Sequence, residues 1–411
     1  MNSEIRNESA AHVTLKRSLT LPLLTLYGLG VTIGAGIYVL VGATAAKAGI
    51  YAPVSFLMAA CVVGFTGLSY CEMGTRYPVS AGEAAYMRHG FNSKTLSLIV
   101  GLMVVSVGVV SSAAISIGAA AYLRAFIPLS PEVLTALVIV VLGLAAIWGI
   151  VESVTVAAIF TLIEIFGLGL VVYFGLKTNP DLIGELGRLV PPFEKAAWTG
   201  IASASLLAFF AFVGFEDIAN VAEEVKDPGK TLPWATILTL LIATVIYTMI
   251  VSVVVLSVPM ETLSTSDAPL GLLFAGSGSR INMLFGVIAS IATFNGVLIQ
   301  MIMSSRVLYG LASQKNLPAV IAYVNPVTRT PLVATALVVV LVFVLAFFLP
   351  IMALAELTSK IVLVVFILVN LALLRLKWIG TPPGDDVFQV PFWIPILGCL
   401  SCILLFLAGS L

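Results

Sequence analysis

Long stretches without a charged residue are the feature that most constrains how this chain can fold. Because the hydrocarbon core of a bilayer is about 30 Å thick, a helix needs roughly 20 apolar residues to cross it. Eight charge-free intervals reach that length or come close to it: residues 18–46, 48–71, 95–123, 133–151, 196–215, 231–260, 281–305 and 387–411. Residues 153–176 are interrupted only by Glu164, and residues 330–374 can hold two spans separated near Pro350. The sequence therefore predicts eleven membrane spans.

The overall composition agrees with a chain surrounded by lipid. Hydrophobic residues make up 60% of the sequence and charged residues 10%, whereas soluble domains average roughly 45–50% and about 25%. The 20 basic residues balance the 20 acidic ones, so no charge surplus favours binding to nucleic acid. The sequence contains no P-loop, H-E-x-x-H or G-x-S-x-G motif. Cys399 and Cys402 form a C-x-x-C, but two small residues three apart on an apolar helix usually share a packing face. We therefore expect no enzyme, no metal site and no bound cofactor.

The distribution of Lys and Arg over the predicted loops sets the orientation. With the N-terminus inside, thirteen basic residues lie on the inner side and six on the outer side, which agrees with the positive-inside rule. We expect a multi-pass protein of the cytoplasmic (inner) cell membrane with its N-terminus in the cytoplasm. The predicted parts are a cytoplasmic tail at 1–17, spans one to five at 18–176, an extracellular loop at 177–198, spans six to ten at 199–376, and a loop with span eleven at 377–411.

The first ten spans divide into two sets of five, and the first span of each set is interrupted by glycine. Span one carries four glycines between Gly28 and Gly36, and span six carries Gly214 followed by Glu216 and Asp217. Because five is an odd number, a repeated unit of five spans must be inverted in the membrane. Inverted repeats whose corresponding helices are broken are typical of secondary transporters, which bind substrate at the breaks.

Each interruption has a functional and a structural interpretation. Unwinding of span one at residues 30–38 would free backbone N–H groups at the start of a half-helix, which suits a carboxylate. Unwinding of span six at residues 211–214 would free carbonyl groups, which suits an ammonium group. The alternative for span one is close helix packing through small residues. The alternative for span six is that Glu216 and Asp217 already lie in the headgroup region, with the aromatic residues as ordinary core.

Glu164 is the most informative single residue, because it lies at the middle of span five, where a charged group costs about 2.5–3.5 kcal/mol. It can remain a protonated acid between helices, bind a proton reversibly, or bind Na⁺ together with carbonyl groups of span one and the hydroxyls of Ser290 and Thr293. Glu356 and Lys360 are spaced i, i+4, which predicts an ion pair within span ten.

Three motifs resemble the amino acid–polyamine–organocation (APC) transporters, over roughly residues 15 to 410. They are residues 34–38 (Gly-Ala-Gly-Ile-Tyr), the run 209–228 with its Glu-Glu and Asp-Pro pairs, and residues 305–312. The resemblance implies an all-α polytopic membrane protein with a LeuT-like 5+5 inverted repeat, broken helices 1 and 6, and an eleventh helix. The twelfth span usual in the family is absent.

The resemblance also implies a substrate site, carried over at matching positions. The substrate-binding residues would be Thr32, Ile33, Gly34, Ala35, Gly36, Phe210, Ala211, Phe212 and Val213. The α-carboxylate would meet the N–H groups of residues 34–36, and the ammonium would meet the carbonyls of residues 32, 210, 211 and 213. Phe210 would act as an aromatic gate and Glu216 would assist closure on the inner side. Gating and coupling are assigned to Glu164, Glu216, Ser290 and Thr293.

Glu164 departs from the family pattern, because several proton-coupled members carry a lysine at what looks like this position. We therefore hypothesise that Glu164 itself carries the coupling proton, since a carboxyl group near the membrane midplane is more easily protonated than one in water. H⁺ is the expected coupling ion and Na⁺ the alternative.

The function predicted from these features is secondary active transport of an amino acid by alternating access. A neutral amino acid is favoured, because spans three and eight carry no acidic residue. The alternatives are an amino acid/amine exchanger, a polyamine transporter of the same fold and an ion channel. The expected partners are the small-molecule substrate and membrane lipid, without nucleic acid, and the oligomeric state is left open.

Overall fold

Sixteen α-helices form the described part of the chain. The computed structural model describes residues 17, 19–34, 36–79, 82–148, 154–384 and 386–409, with the backbone alone at 154–157. The predicted N-terminal tail, apart from Arg17, and the predicted site residue Ala35 lie outside the described residues. The helices are α1 (Leu21–Ile33), α2 (Gly36–Ala48), α3 (Ala52–Arg76), α4 (Gly82–Phe91), α5 (Lys94–Leu123), α6 (Pro131–Trp148), α7 (Val154–Thr178), α8 (Leu182–Glu185), α9 (Lys195–Phe210), α10 (Asp217–Asn220), α11 (Pro228–Ser257), α12 (Met260–Ser264), α13 (Ser279–Ser313), α14 (Leu332–Phe348), α15 (Ile351–Trp378) and α16 (Trp393–Ala408).

The helices occupy the eleven predicted intervals. Within the described residues, seven helical stretches are long and apolar enough to cross a membrane by length and composition, and one of them joins α2 to α3. The shorter apolar helices are α1, α9, α14 and α16. Both α1 and α9 are short because each stops where its span is interrupted. Helices α1 and α2 together form span one, and α9 and α10 together form span six. Each of the other predicted spans is formed by one helix.

Helices α5 and α13, with 30 and 35 residues, pack directly against each other over much of their length. Gly108 makes this approach possible, because a Cβ atom there would lie 1.9 Å from the Ser304 Oγ atom and 3.0 Å from the Gln300 carbonyl oxygen. Small residues allow close approach of helices in a membrane, where no hydrophobic force drives them together. This contact brings spans three and eight together beside the broken helices.

Helix α16 is the eleventh span and packs against α3 and α15. A buried amide links α3 and α15 beneath it: the Asn370 Nδ2 group donates to the Thr66 hydroxyl at 3.0 Å, and the Ser69 hydroxyl donates to the Asn370 Oδ1 atom at 2.7 Å. A Cβ atom at Gly398 of α16 would lie 2.4 Å from that same Oδ1 atom. The extra helix lies over this polar cluster, and its Cys402 thiol makes a hydrogen-bond contact of 3.5 Å with the Thr66 hydroxyl.

An ion-pair network attaches the connection between α15 and α16 to the end of α3. The buried Glu72 carboxylate pairs with Arg76 at 2.8 Å and with Lys377 at 2.7 Å. It also accepts a hydrogen bond from the Val390 amide at 2.8 Å. Because both oxygens of this buried carboxylate have charged or N–H partners, the network meets the condition for a stable buried charge. We call this end of the bundle, which also carries α4, the α4 end.

Candidate functional site

The two broken helices meet at their interruptions. Helix α1 ends at Ile33 and α2 begins at Gly36, while α9 ends at Phe210 and α10 begins only at Asp217. A Cβ atom at Gly36 would lie 2.3 Å from the Ala211 Cα atom, so glycine is required for this contact. The breaks predicted from the glycine pattern are thus present, and each lies against the other.

Gly214 shapes the interruption in span six. Its φ angle is +116°, a conformation that L-amino acids with side chains rarely adopt. Its amide donates to the Glu216 carboxylate at 2.9 Å, and a Cβ atom at this position would lie 3.0 Å from the Val31 carbonyl oxygen of α1. Glu216 therefore caps the unwound segment, and its backbone begins the turn into α10.

Tyr247 of α11 joins the two breaks. Its fully buried hydroxyl lies 2.7 Å from the Thr32 carbonyl oxygen and 2.8 Å from the Ala211 carbonyl oxygen, and it donates its single proton between them. These are two of the carbonyl groups assigned to the substrate ammonium in the sequence analysis. Each carbonyl oxygen has two lone pairs, so one acceptor position on each remains. The sequence analysis missed Tyr247, although a tyrosine in the middle of an apolar span needs a buried partner.

A small cavity lies between the breaks, α5 and α13. Four of the nine predicted substrate-binding residues line it: Thr32, Gly36, Phe210 and Val213. The other lining residues are Val31, Ser111, Ile115, Gly296 and Gln300. None of these side chains is ionisable. We call this the central cavity.

The other described residues among the predicted binding residues do not line the central cavity. Ile33 is fully buried, and Phe212 packs edge-on against Tyr247 with ring centroids 5.0 Å apart. A Cβ atom at Gly34 would lie 3.5 Å from the Ala292 carbonyl oxygen of α13. Ala211 contributes its carbonyl to Tyr247. In this conformation these residues shape the walls without lining the central cavity.

Glu164 lies fully buried on α7, and its partner comes from α13. The Asn295 amide donates to the Glu164 Oε1 atom at 3.0 Å, while Glu164 Oε2 and Asn295 Oδ1 have no hydrogen-bond partner within the described part of the chain. The Tyr38 hydroxyl donates to the Glu164 backbone carbonyl at 2.9 Å, which ties α7 to α2. Asn295 was missed, because it is one of three carboxamide residues in the apolar interval 281–305 and nothing in the sequence singles it out.

Ser290 and Thr293 are also buried on α13, but their hydroxyls bond within their own helix. The Ser290 hydroxyl donates to the Gly286 carbonyl at 2.8 Å, and the Thr293 hydroxyl donates to the Ala289 carbonyl at 2.9 Å. Such i−4 bonds are the usual arrangement for hydroxyl side chains inside a helix. Asn295, rather than either hydroxyl residue, is therefore the observed side-chain partner of Glu164.

The predicted pair between Glu356 and Lys360 is wrong. The Glu356 carboxylate instead pairs with Lys47, at the end of α2, at a distance of 2.7 Å. The i, i+4 spacing allows for a pair with Lys360 within α15. Lys47, in the last turn of α2, reaches the Glu356 carboxylate instead. The pair connects the second half of the broken first span to span ten.

A second small cavity lies toward the α4 end, and its lining includes Glu83, Glu216 and Asp217. We call it the acidic cavity. Gln300 lines both cavities, so the two are neighbours along α13. Glu83 belongs to α4, in the connection between spans two and three, and its burial raises its pKa to about 7. The sequence analysis did not select Glu83, because a charged residue in a loop helix is usually solvated.

A short backbone bridge closes the α4 end beside α10. The Leu19 amide donates to the Glu224 carbonyl at 3.0 Å, and the Lys226 amide donates to the Leu19 carbonyl at 2.9 Å. The residue before the first span is thereby fixed to the segment after the broken sixth span. These bonds connect the start of α1 to the segment that follows α10.

The fold and the cavity define a transporter of the broken-helix class rather than an enzyme. Two sets of five spans, each beginning with an interrupted helix, enclose a small cavity at the crossing of the interruptions. A solved structure of a mutant manganese transporter of Eremococcus coleocola has the same fold, with a TM-score of 0.66 at 12% identity over 98% of this chain and 90% of that one. The architecture is the predicted LeuT-like 5+5 inverted repeat with an eleventh helix.

The chain belongs to the amino acid permease family, whose model matches residues 19–411. The branched-chain amino acid permease BcaP of Bacillus subtilis is 29% identical over 96% of this chain and 88% of its own length. The vacuolar cationic amino acid transporter 2 of Arabidopsis thaliana is 30% identical over 90% of this chain, which spans 61% of that protein. The methylthioribose transporter of Bacillus subtilis is 26% identical over 94% of this chain and 87% of its own length.

Proposed function

We propose that this protein takes up a neutral amino acid across the cell membrane by proton-coupled alternating access, with its N-terminus in the cytoplasm. The observation that carries the substrate class is the lining of the central cavity. A zwitterion needs only backbone groups at the breaks for its carboxylate and ammonium. Its side chain would then face Val31, Ile115, Phe210 and Val213, which favours an apolar side chain. The likeness to a branched-chain amino acid permease supports the same class.

The proposed coupling group is Glu164. Its Oε1 atom is held by Asn295, while its Oε2 atom is buried without a hydrogen-bond partner among the described residues. A carboxylate in that position is costly unless it is protonated or paired. We assign the proton to Oε2, where its loss and gain would alter the contact between α7, α13 and α2. Na⁺ bound between Oε2 and the Asn295 Oδ1 atom is the competing arrangement.

Uptake by purified protein in proteoliposomes tests both parts of the proposal. Radiolabelled leucine and valine should accumulate when the lumen is made alkaline relative to the outside, and lysine and spermidine should not. A Na⁺ gradient at constant pH should give no accumulation. Accumulation of lysine or spermidine alone would overturn the neutral substrate, and accumulation driven only by Na⁺ would overturn proton coupling.

Glu164→Gln isolates the coupling step. This variant keeps the hydrogen bond from Asn295 but cannot release a proton, so we expect leucine counterflow to persist and pH-driven accumulation to be lost. Glu261→Gln is the matched control, because Glu261 is exposed on α12. Accumulation by Glu164→Gln equal to that of the wild type would contradict the assignment. Counterflow without gradient-driven accumulation in the wild type would instead identify an exchanger.

A further inference from the structure

The acidic cavity contains three carboxyl groups without a matching positive charge. Glu83 comes from α4, and Glu216 and Asp217 come from the start of α10. The described residues that line this cavity include no Lys, Arg or His. Placing carboxylates in a cavity between packed helices is costly unless a cation balances them. The arrangement therefore requires either protonation or a positively charged ligand.

Asp217 is the group that points to a ligand. It is 6% exposed, and its Oδ1 atom accepts a hydrogen bond from the Asn220 amide at 3.2 Å. Its Oδ2 atom is buried and has no hydrogen-bond partner in the part of the chain that the structure describes. The neighbouring carboxyl groups each have a partner: Glu216 accepts from the Gly214 amide at 2.9 Å, and Glu83 accepts from the Tyr70 hydroxyl at 3.2 Å. Asp217 therefore presents a buried acceptor without a described partner, whereas each neighbouring carboxyl group has at least one hydrogen bond.

The geometry favours an organic cation over a metal ion. Among the described residues, no three Asp, Glu, His or Cys side chains lie close enough together to hold a metal ion. Tyr70 and Phe366 contribute aromatic rings to the wall, and such rings attract ammonium groups. A primary ammonium group offers three donors, which suits carboxylates distributed around a space.

We propose that the acidic cavity is a second binding site, for a primary ammonium group, and that the amino acid leaving the central cavity occupies it. This inference rests on the proposed function for the source of the ammonium group. Gln300 borders both cavities, so the amino acid would move along α13 from the uncharged cavity toward the α4 end. The carboxylates attract the substrate ammonium and repel its carboxylate. The second site is therefore weak for an amino acid and stronger for an amine without a carboxylate.

Isoamylamine is the probe for this site, because it keeps the ammonium group and apolar chain of leucine but lacks the carboxylate. Isothermal titration calorimetry of the purified full-length protein at pH 8 should detect isoamylamine binding to the wild type. Asp217→Asn and Glu83→Gln should each weaken that binding at least tenfold. Glu224→Gln is the control, because Glu224 is an acidic residue near α10 that does not line the cavity. Unchanged binding in both cavity variants would overturn the proposal, and two separate variants guard against a folding defect in one.

Leucine titrations identify the source of the ammonium group. Two leucine molecules per wild-type protein and one per Asp217→Asn protein would assign the site to the transported amino acid. One leucine per protein in both, with isoamylamine still bound only by the wild type, would assign the site to a separate amine and overturn the exit role. Displacement of isoamylamine by one equivalent of leucine would place the amine in the central cavity and overturn the second site. Absence of any leucine binding would refute the proposed substrate, while the isoamylamine result would still decide the acidic cavity.

Discussion

Substitution of Gly36 by alanine tests whether the contact between the broken helices builds the central cavity. The added Cβ atom would lie 2.3 Å from the Ala211 Cα atom and 2.8 Å from its Cβ atom. Ordinary van der Waals contact begins at 3.4 Å, so the two backbones must separate by about 1.1 Å, the difference between 3.4 and 2.3 Å. Overpacking of this kind costs about 1–3 kcal/mol.

The same displacement has a consequence for binding. A hydrogen bond of about 2.9 Å between the Gly36 amide and a substrate carboxylate would lengthen to about 4 Å, which is beyond hydrogen-bonding distance. Loss of a hydrogen bond to a charged group costs about 1.5–3 kcal/mol. Since 1.4 kcal/mol corresponds to tenfold in affinity, leucine should bind roughly 10- to 150-fold more weakly.

Equilibrium binding of radiolabelled leucine and thermal unfolding of the purified protein are the measurements. Gly64→Ala is the matched control, because Gly64 also lies in a membrane helix but an added Cβ atom there would meet nothing within 4 Å. We expect Gly64→Ala to behave as the wild type. Leucine affinity of Gly36→Ala within threefold of the control, with the same unfolding temperature, would refute the reasoning.

Three further predictions follow from individual contacts. Tyr247→Phe should lower the unfolding free energy by about 1–3 kcal/mol, because two buried carbonyls lose their hydrogen-bond donor. Tyr86→Phe is the control and should change the unfolding free energy little, since the Tyr86 hydroxyl has no partner among the described residues. Chemical denaturation measures both variants. A double-mutant cycle on Lys47 and Glu356 should give a coupling free energy of no more than about 1 kcal/mol, because water screens this partly exposed ion pair. A larger coupling free energy would contradict the prediction. Isoamylamine affinity should fall as the pH is lowered through about 7, because the buried Glu83 carboxylate then gains a proton and loses its charge. Calorimetry between pH 6 and 8 measures this, and an affinity that does not change over that range would contradict the prediction.

The spans and their interruptions were predictable because both depend on local chemistry. A charge cannot remain in the hydrocarbon region without compensation, so charge-free intervals identify spans directly from the sequence. Gly214 was predictable for a similar reason, because a positive φ angle is open to glycine and costly for other residues. These signals require no knowledge of which helices are neighbours.

Partners across the bundle could not be predicted, because they depend on tertiary contacts. The i, i+4 spacing predicts Lys360 as the partner of Glu356, yet in the folded chain the carboxylate pairs with Lys47 of another helix. Glu164 was recognised as an unusual residue, but its bond to Asn295 joins two helices that are far apart in the sequence. Glu83 was overlooked because its burial arises only when α4 packs against α5 and α15, with the Tyr70 hydroxyl of α3 beside the carboxyl group.

The separation of charge between the two cavities has a directional consequence under the proposed function. In the central cavity a zwitterion would meet the ends of two interrupted helices, and no ionisable side chain contributes to the lining. Toward the α4 end the same molecule would meet carboxyl groups from α4 and α10, which favour its ammonium group and disfavour its carboxylate. Binding there would be weaker for a zwitterion than in the central cavity, so an amino acid that moves past Gln300 gains a route to release without forming a second tight complex. Basic and acidic residues balance over the whole sequence, but under this proposal the position of the acidic residues distinguishes one end of the transport path from its centre.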